Sequence, residues 1–108
     1  MKYEYKYDCL KDLEPAEFFY WFGEFTAIPR ESGNEKGMIQ FLKSYAEKRN
    51  YQYEIDAKGN VFMKIPAIPG YEKQPSVLFQ SHMDMVAAVD EGVKFNFETD
   101  CRRALIYI

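Results

Sequence analysis

The chain contains a single histidine, His82, and an acidic residue, Asp84, stands two positions after it. An imidazole can bind a metal through one ring nitrogen while a carboxylate accepts the proton of the other, which fixes the tautomer of the ring and raises its basicity. His82 is therefore a candidate metal ligand, and Asp84 is the candidate residue that orients it. A catalytic zinc takes about three protein ligands and a water, so His82 alone cannot complete such a site. A lone histidine is also often a surface residue or a hydrogen-bonded core residue, and the pair by itself leaves both interpretations open.

The residues before His82 predict how the imidazole is positioned. Val77, Leu78 and Phe79 form an unbroken apolar run, which is typical of a central strand covered on both faces. We therefore expect a buried strand over residues 76–81. Because ligands in α/β sheets bind beyond the carboxyl ends of strands, His82 is expected at a functional edge of the sheet.

Two helices are predicted upstream, over residues 14–28 and 33–49. In the first, Pro15 suits the first helical position, and four aromatic residues at helical spacing predict one core-facing stripe. The stripe consists of Phe18, Trp21, Phe22 and Phe25.

The second predicted helix opens with Ser32 and Glu35, which have the spacing of a capping box. Asn50 is expected to end it in a left-handed conformation. The buried stripe of this helix is predicted to be Met38, Phe41, Leu42 and Tyr45.

Alternating apolar residues predict a β-hairpin over residues 51–65, with strands at 51–56 and 60–65 and a turn around Lys58 and Gly59. Two helices, a hairpin and a buried strand indicate an α/β fold with an incomplete sheet. The last five residues, 104–108, form a further apolar, strand-like run.

Composition narrows the class of protein. With 108 residues, one small domain is expected, and 47% apolar residues exclude a disordered chain. A net charge of −3 gives no basic surface for nucleic acid. The start of the chain lacks the apolar core of a secretory signal, and no apolar run approaches the roughly 20 residues of a membrane span, so we expect a cytoplasmic protein without a membrane partner. Cys9 and Cys101 are expected to be free thiols in that compartment.

Four ordered segments resemble the aminoacyl-histidine dipeptidases, which belong to the co-catalytic zinc peptidases. Residues 77–86 (VLFQSHMDMV) resemble the first metal-binding motif of that family, and residues 28–35 (IPRESGNE) resemble its helix-opening segment. Residues 56–61 (DAKGNV) are similar to its hairpin turn, and residues 96–100 (NFETD) to the segment that follows the metal motif. The resemblance covers roughly residues 8 to 100.

The resemblance implies that residues 1–108 are the amino-terminal part of a metallopeptidase catalytic domain with a zinc-peptidase-like fold. It implies zinc-dependent hydrolysis of Xaa-His-type dipeptides by two zinc ions, with His82 as a zinc ligand and Asp84 as the catalytic-site residue that orients it. Family members form homodimers through an inserted lid domain, which is absent from this sequence.

The sequence departs from the family pattern after Asp100. The family continues with a proline and a Gly-Ala-Asp-Asn-Gly-like motif whose Asp bridges the metals, whereas this chain has Cys-Arg-Arg-Ala at 101–104. The general-base Glu pair and the later Asp and His ligands are also missing. Two alternatives therefore stand beside a dipeptidase represented in part: a catalytically inactive remnant or binding fragment, and a binding module unrelated to peptidases.

Overall fold

The computed structural model describes residues 3–101, so the strand-like run at 104–108 lies outside the described part. A short 3-10 helix, Asp8–Leu10, comes first. It is followed by helices α1 (Ala16–Thr26) and α2 (Lys36–Lys48) and by strands β1 (Gln52–Ile55) and β2 (Val61–Lys64). The α/β class and the two predicted helices are confirmed, with shorter bounds than the sequence indicated.

Helix α1 begins one residue later than the proline rule places it. Pro15 is the N-cap residue, and the Glu14 carboxylate accepts a hydrogen bond of 2.9 Å from the Ala16 N–H. This bond satisfies one of the amide groups that the first turn leaves without a helical partner. The helix ends at Thr26. Pro29 follows shortly after and disfavours a helical conformation at Ile28, the residue before it.

The capping box predicted for α2 is wrong. The helix begins at Lys36 with Glu35 as its N-cap, and no side chain caps it. Gly33 has a φ of 94°, a left-handed conformation that keeps this residue out of the helix. The Ser32 hydroxyl is bonded elsewhere, to Asp84. The other end agrees with the sequence, because Asn50 has a φ of 55° just beyond the helix.

Helices α1 and α2 pack through aromatic rings. Trp21 lies 6.2 Å from Phe41 and 5.3 Å from Tyr45 between ring centroids, and Phe25 lies 5.5 Å from Phe41. Half of the predicted α1 stripe does not reach this core, because Phe18 and Phe22 are exposed.

The predicted α2 stripe is confirmed as the inner face of that helix. Met38 is buried. Three further members of the stripe, Phe41, Leu42 and Tyr45, are half-buried.

Strands β1 and β2 form an antiparallel hairpin in which Tyr53 pairs with Met63 and Ile55 with Val61. Both predicted strands are confirmed, and each is one residue shorter at either end than the sequence indicated. The turn closes through the Gly59 N–H, which donates to the Asp56 carbonyl at 3.0 Å, and Gly59 has a φ of 88°. A three-residue loop that ends in a left-handed glycine is a common hairpin closure. Helix α2 packs against this hairpin.

The strand predicted over residues 76–81 is wrong. Within residues 3–101 these residues form no strand and pair with no other strand, and Val77, Leu78 and Phe79 are 75%, 77% and 90% exposed. A strand needs the N–H and C=O groups of a neighbour, and the only described sheet is the two-stranded hairpin. The apolar run identifies a segment suited to a covered sheet, yet the described residues supply no cover.

Two further expectations concern single features of the chain. Cys9 and Cys101 are free, as expected. Neither α1 nor α2 has the length and apolar character that crossing a membrane requires.

Candidate metal-ligand site

The segment that carries His82 and Asp84 is tied to the loop between α1 and α2. The Met85 N–H donates to the Arg30 carbonyl at 2.8 Å, and the Ser32 N–H donates to the Met85 carbonyl at 3.0 Å. Glu31 and Met85 thereby form a parallel bridge. This bridge, and not the end of a paired strand, fixes the position of the histidine, so the predicted placement at a strand end is corrected.

His82 and Asp84 are hydrogen-bonded, as the spacing predicted. His82 Nδ1 lies 2.9 Å from Asp84 Oδ1. Because an ionised carboxylate only accepts hydrogen bonds, the proton of the neutral imidazole belongs on Nδ1 and the lone pair on Nε2. The His82 side chain is 79% exposed, so Nε2 is open to an incoming ligand.

The second oxygen of Asp84 is held by Ser32. The Ser32 hydroxyl donates to Asp84 Oδ2 at 2.6 Å, and an alternative acceptor, the Met85 carbonyl, lies farther away at 3.4 Å. The hydrogen bond from Ser32 and then the one from His82 lower the pKa of Asp84 below its ordinary value, because both favour the ionised carboxylate. Asp84 is therefore a carboxylate with a partner on each oxygen.

The α1–α2 loop that presents Ser32 is itself held by hydrogen bonds. The Asn34 N–H donates to the Glu31 carbonyl at 2.8 Å, and the Asn34 side-chain amide donates to Glu31 Oε1 at 2.8 Å. The Gly33 N–H donates to Glu35 Oε1 at 2.7 Å. These hydrogen bonds, all within residues 31–35, give the loop a defined conformation although it is neither helix nor strand.

The donor set fits one corner of a zinc site and no more. His82 Nε2 is a suitable nitrogen ligand, whereas both Asp84 oxygens already have protein partners. Among residues 3–101, no three or more His, Cys, Asp or Glu side chains are grouped so that they could hold a metal. The described residues thus present one oriented histidine and no complete set of metal ligands.

An apolar cleft of about 240 Å³ lies behind the same bridge. Its wall includes Phe22, Met85 and Val86, together with the rings of Phe95 and Phe97, whose centroids are 4.9 Å apart. Phe22 is exposed and lines this cleft, which no local sequence pattern indicates.

Arg30 and Glu31 also line this cleft and are half-buried. Burial lowers the pKa of Arg30, and Glu31 Oε2 is buried without a hydrogen-bond partner among the described residues. Both residues belong to the loop that forms the bridge with Met85.

Comparison with known proteins gives two related dipeptidases, and no protein-family model matches the chain. The chain is 28% identical over 91 residues to the cytosol non-specific dipeptidase of Escherichia coli K12, a match that covers 84% of this chain and 19% of that protein. The crystal structure of aminoacylhistidine dipeptidase from Vibrio alginolyticus matches with a TM-score of 0.79 and 32% identity, over 83% of this chain and 18% of the other.

The fold is thus an α/β arrangement that matches part of a peptidase of known structure. The resemblance drawn from the four motifs is confirmed: the chain is a relative of the aminoacyl-histidine dipeptidases. It spans less than a fifth of the length of either relative.

Ser32 is the site residue that sequence reasoning assigned to the wrong task. Its type and its spacing from Glu35 matched a helix cap, but its hydroxyl bonds Asp84, 52 positions along the chain. The one sequence feature that connects the two residues is the family resemblance, because Ser32 and Asp84 lie in two of the segments that carry it. Nothing in either segment alone indicates that the two meet.

Proposed function

We propose that this chain carries the first metal-binding motif of a zinc-dependent dipeptidase. In this proposal His82 binds zinc through Nε2, and Asp84 holds the imidazole in the required tautomer. The observation that supports it best is the hydrogen bond of 2.9 Å between His82 Nδ1 and Asp84 Oδ1, which leaves Nε2 exposed. Both relatives are named as dipeptidases, which supports the reaction class.

Zinc in such a site supplies a Lewis acid for the scissile carbonyl and lowers the pKa of a bound water. The part of His82 is to hold the metal, and the part of Asp84 is to keep the proton on Nδ1 while the metal is bound. The substrate class that follows is dipeptides with free termini, including those with a carboxyl-terminal histidine. That preference is taken from the family resemblance and from the aminoacylhistidine specificity in the name of the Vibrio relative.

Residues 1–108 are proposed to belong to the catalytic domain of the enzyme, with the lid and dimerisation domain outside them. The proposed compartment is the cytoplasm, in line with the name of the Escherichia coli relative. The proposal includes a homodimer and does not include nucleic-acid or membrane partners.

The 108-residue chain by itself is proposed to be inactive. Two-metal hydrolysis needs a bridging carboxylate, a general base and several ligands at once. The described residues offer one oriented nitrogen, and this same observation favours a second candidate function, a catalytically inactive remnant or binding fragment. The two candidates share their ancestry and differ in whether further residues complete the site.

The purified chain tests this proposal when it is incubated with excess zinc and an Xaa-His dipeptide. We expect no hydrolysis above that of buffer, and calorimetry should give weak zinc binding that is lost in His82→Ala. Tight zinc binding that depends on His82 would show that ligands within this chain complete the site, and turnover abolished by His82→Ala would contradict the inactivity of the isolated chain.

A further inference from the structure

Asp84 lies in a segment that has no regular structure of its own. Residues 76–84 form neither helix nor strand, and the parallel bridge at Met85 is the backbone tie next to them. A carboxylate in such a segment rotates freely about its side-chain bonds unless a partner holds it, and each immobilised side chain loses rotamer entropy. The orientation of the His82 ring therefore depends on what holds Asp84.

Ser32 is placed to hold it. Its backbone N–H is fixed by the 3.0 Å hydrogen bond to the Met85 carbonyl, and its hydroxyl reaches Asp84 Oδ2 at 2.6 Å. A bond of this length between a hydroxyl and a carboxylate is in the range of charge-assisted hydrogen bonds, which are stronger than neutral ones. One residue thus connects the α1–α2 loop both to the backbone and to the carboxylate of the histidine segment.

We propose that Ser32 is a positioning residue of the metal motif, which acts through Asp84 to orient His82. The chain of contacts runs from the Ser32 hydroxyl to Asp84 Oδ2, and from Asp84 Oδ1 to His82 Nδ1. With both oxygens held, the carboxylate keeps Oδ1 directed at the imidazole, so Nδ1 retains its proton and Nε2 its lone pair. The significance of this for zinc rests on the proposed function, whereas the positioning itself concerns only the residues of this chain.

The alternative is that Ser32 serves only the fold of the loop. Its backbone bond to Met85 and the left-handed Gly33 beside it would persist in any variant that keeps the backbone. A variant that removes the hydroxyl and keeps the shape of the side chain therefore separates the two roles. Threonine and valine form such a pair at this position, because they share a branched shape and differ in the hydroxyl.

Nitrogen NMR on isotope-labelled histidine tests the inference in the metal-free 108-residue chain, where His82 gives the only imidazole signals. The two nitrogen shifts of the neutral imidazole form report the ratio of the Nδ1–H to the Nε2–H tautomer. We expect Nδ1–H to predominate in the wild type and in Ser32→Thr. In Ser32→Ala and Ser32→Val we expect the ratio to fall by about threefold, as for the loss of one modest hydrogen bond.

Ser81→Ala is the matched control. Ser81 is adjacent in sequence to His82, but its hydroxyl donates to the His82 carbonyl at 3.3 Å and not to Asp84, so its loss should leave the ratio unchanged. If Ser32→Ala does not fold, the comparison of Ser32→Val with Ser32→Thr carries the test alone. An unchanged ratio in Ser32→Val, or equal ratios in the valine and threonine variants, would overturn the inference.

Zinc titration of the same wild-type sample separates this inference from the proposed function. If His82 is a ligand of zinc, its Nε2 signal shifts when zinc is added. An Nε2 signal that does not respond to excess zinc would contradict the proposed zinc role, while the effect of the Ser32 variants on the tautomer ratio would still decide the positioning role.

Discussion

Replacement of Gly59 by alanine measures how closely α2 is packed on the hairpin. Gly59 has a φ of 88°, and a Cβ atom built on it would lie 2.8 Å from Cδ1 of Ile39, a residue of α2. The left-handed conformation costs a residue with a Cβ about 1–2 kcal/mol. Moving the end of the Ile39 side chain off its preferred rotamer adds about 0.5–1.5 kcal/mol. We therefore expect Gly59→Ala to lower the free energy of unfolding by about 1.5–3.5 kcal/mol.

Gly70→Ala is the matched control for the backbone part of this cost. Gly70 has a φ of 94°, but apart from its two chain neighbours no described residue has an atom within 4 Å of the Cβ it would gain. Both substitutions reduce the entropy of the unfolded chain in the same way, so that effect cancels in the comparison. Gly70→Ala should cost only the conformational part, about 1–2 kcal/mol.

Urea unfolding followed by tryptophan fluorescence provides the assay, because Trp21 is the only tryptophan and lies against α2. In an Ile39→Val background, which lacks Cδ1, Gly59→Ala should cost no more than Gly70→Ala does. The reasoning would be refuted if the cost of Gly59→Ala were equal to that of Gly70→Ala in the wild-type background, or if it were unchanged by Ile39→Val.

Three further predictions concern other parts of the chain. The pKa of Asp56 is lowered, chiefly by the hydrogen bond from the Asn60 side chain. The contribution of Asp56 to stability is therefore complete above the pKa of the unfolded state and is lost as the pH falls through the pKa of the folded state. Between about pH 6 and about pH 3, the urea midpoint should fall more steeply for the wild type than for Asp56→Asn. Trp21→Ala should lower the free energy of unfolding by about 2 kcal/mol, less than for a fully buried tryptophan, and a thermal melt that does not change would contradict its place in the core. Leu78→Ser should change the free energy of unfolding by less than about 0.5 kcal/mol because Leu78 is 77% exposed. It should also reduce light scattering by concentrated protein, because it removes an exposed apolar side chain. A large loss of stability would mean that this segment is packed.

The elements with strong local signals could be predicted from the sequence. Helix α2 and the hairpin follow from side-chain periodicity and from turn residues such as Gly59 and Asn50, whose conformations depend on their immediate neighbours. Residues 76–81 could not be predicted correctly by the same means. Their apolar run is typical of a strand that is covered on both faces. A strand forms, however, only where the backbone of a second strand is available for hydrogen bonding.

The candidate site was predictable to the same limited extent. The contact between His82 and Asp84 is local, and their spacing was enough to predict it. The contact between Ser32 and Asp84 joins residues far apart in sequence, and it depends on how the α1–α2 loop meets the segment at Met85. No local pattern predicts this long-range contact. The local spacing of Ser32 and Glu35 predicts a helix cap instead.

The central claim is that His82 belongs to a metal motif that works in a dipeptidase. A chimera tests it most directly: the 91 residues of this chain that match the Escherichia coli cytosol non-specific dipeptidase replace their counterpart in that enzyme. We expect the chimera to hydrolyse dipeptides, and His82→Ala to reduce its activity by more than the roughly 10–100-fold that the loss of an outer-shell partner costs. A folded His82→Ala chimera as active as its parent would contradict the claim.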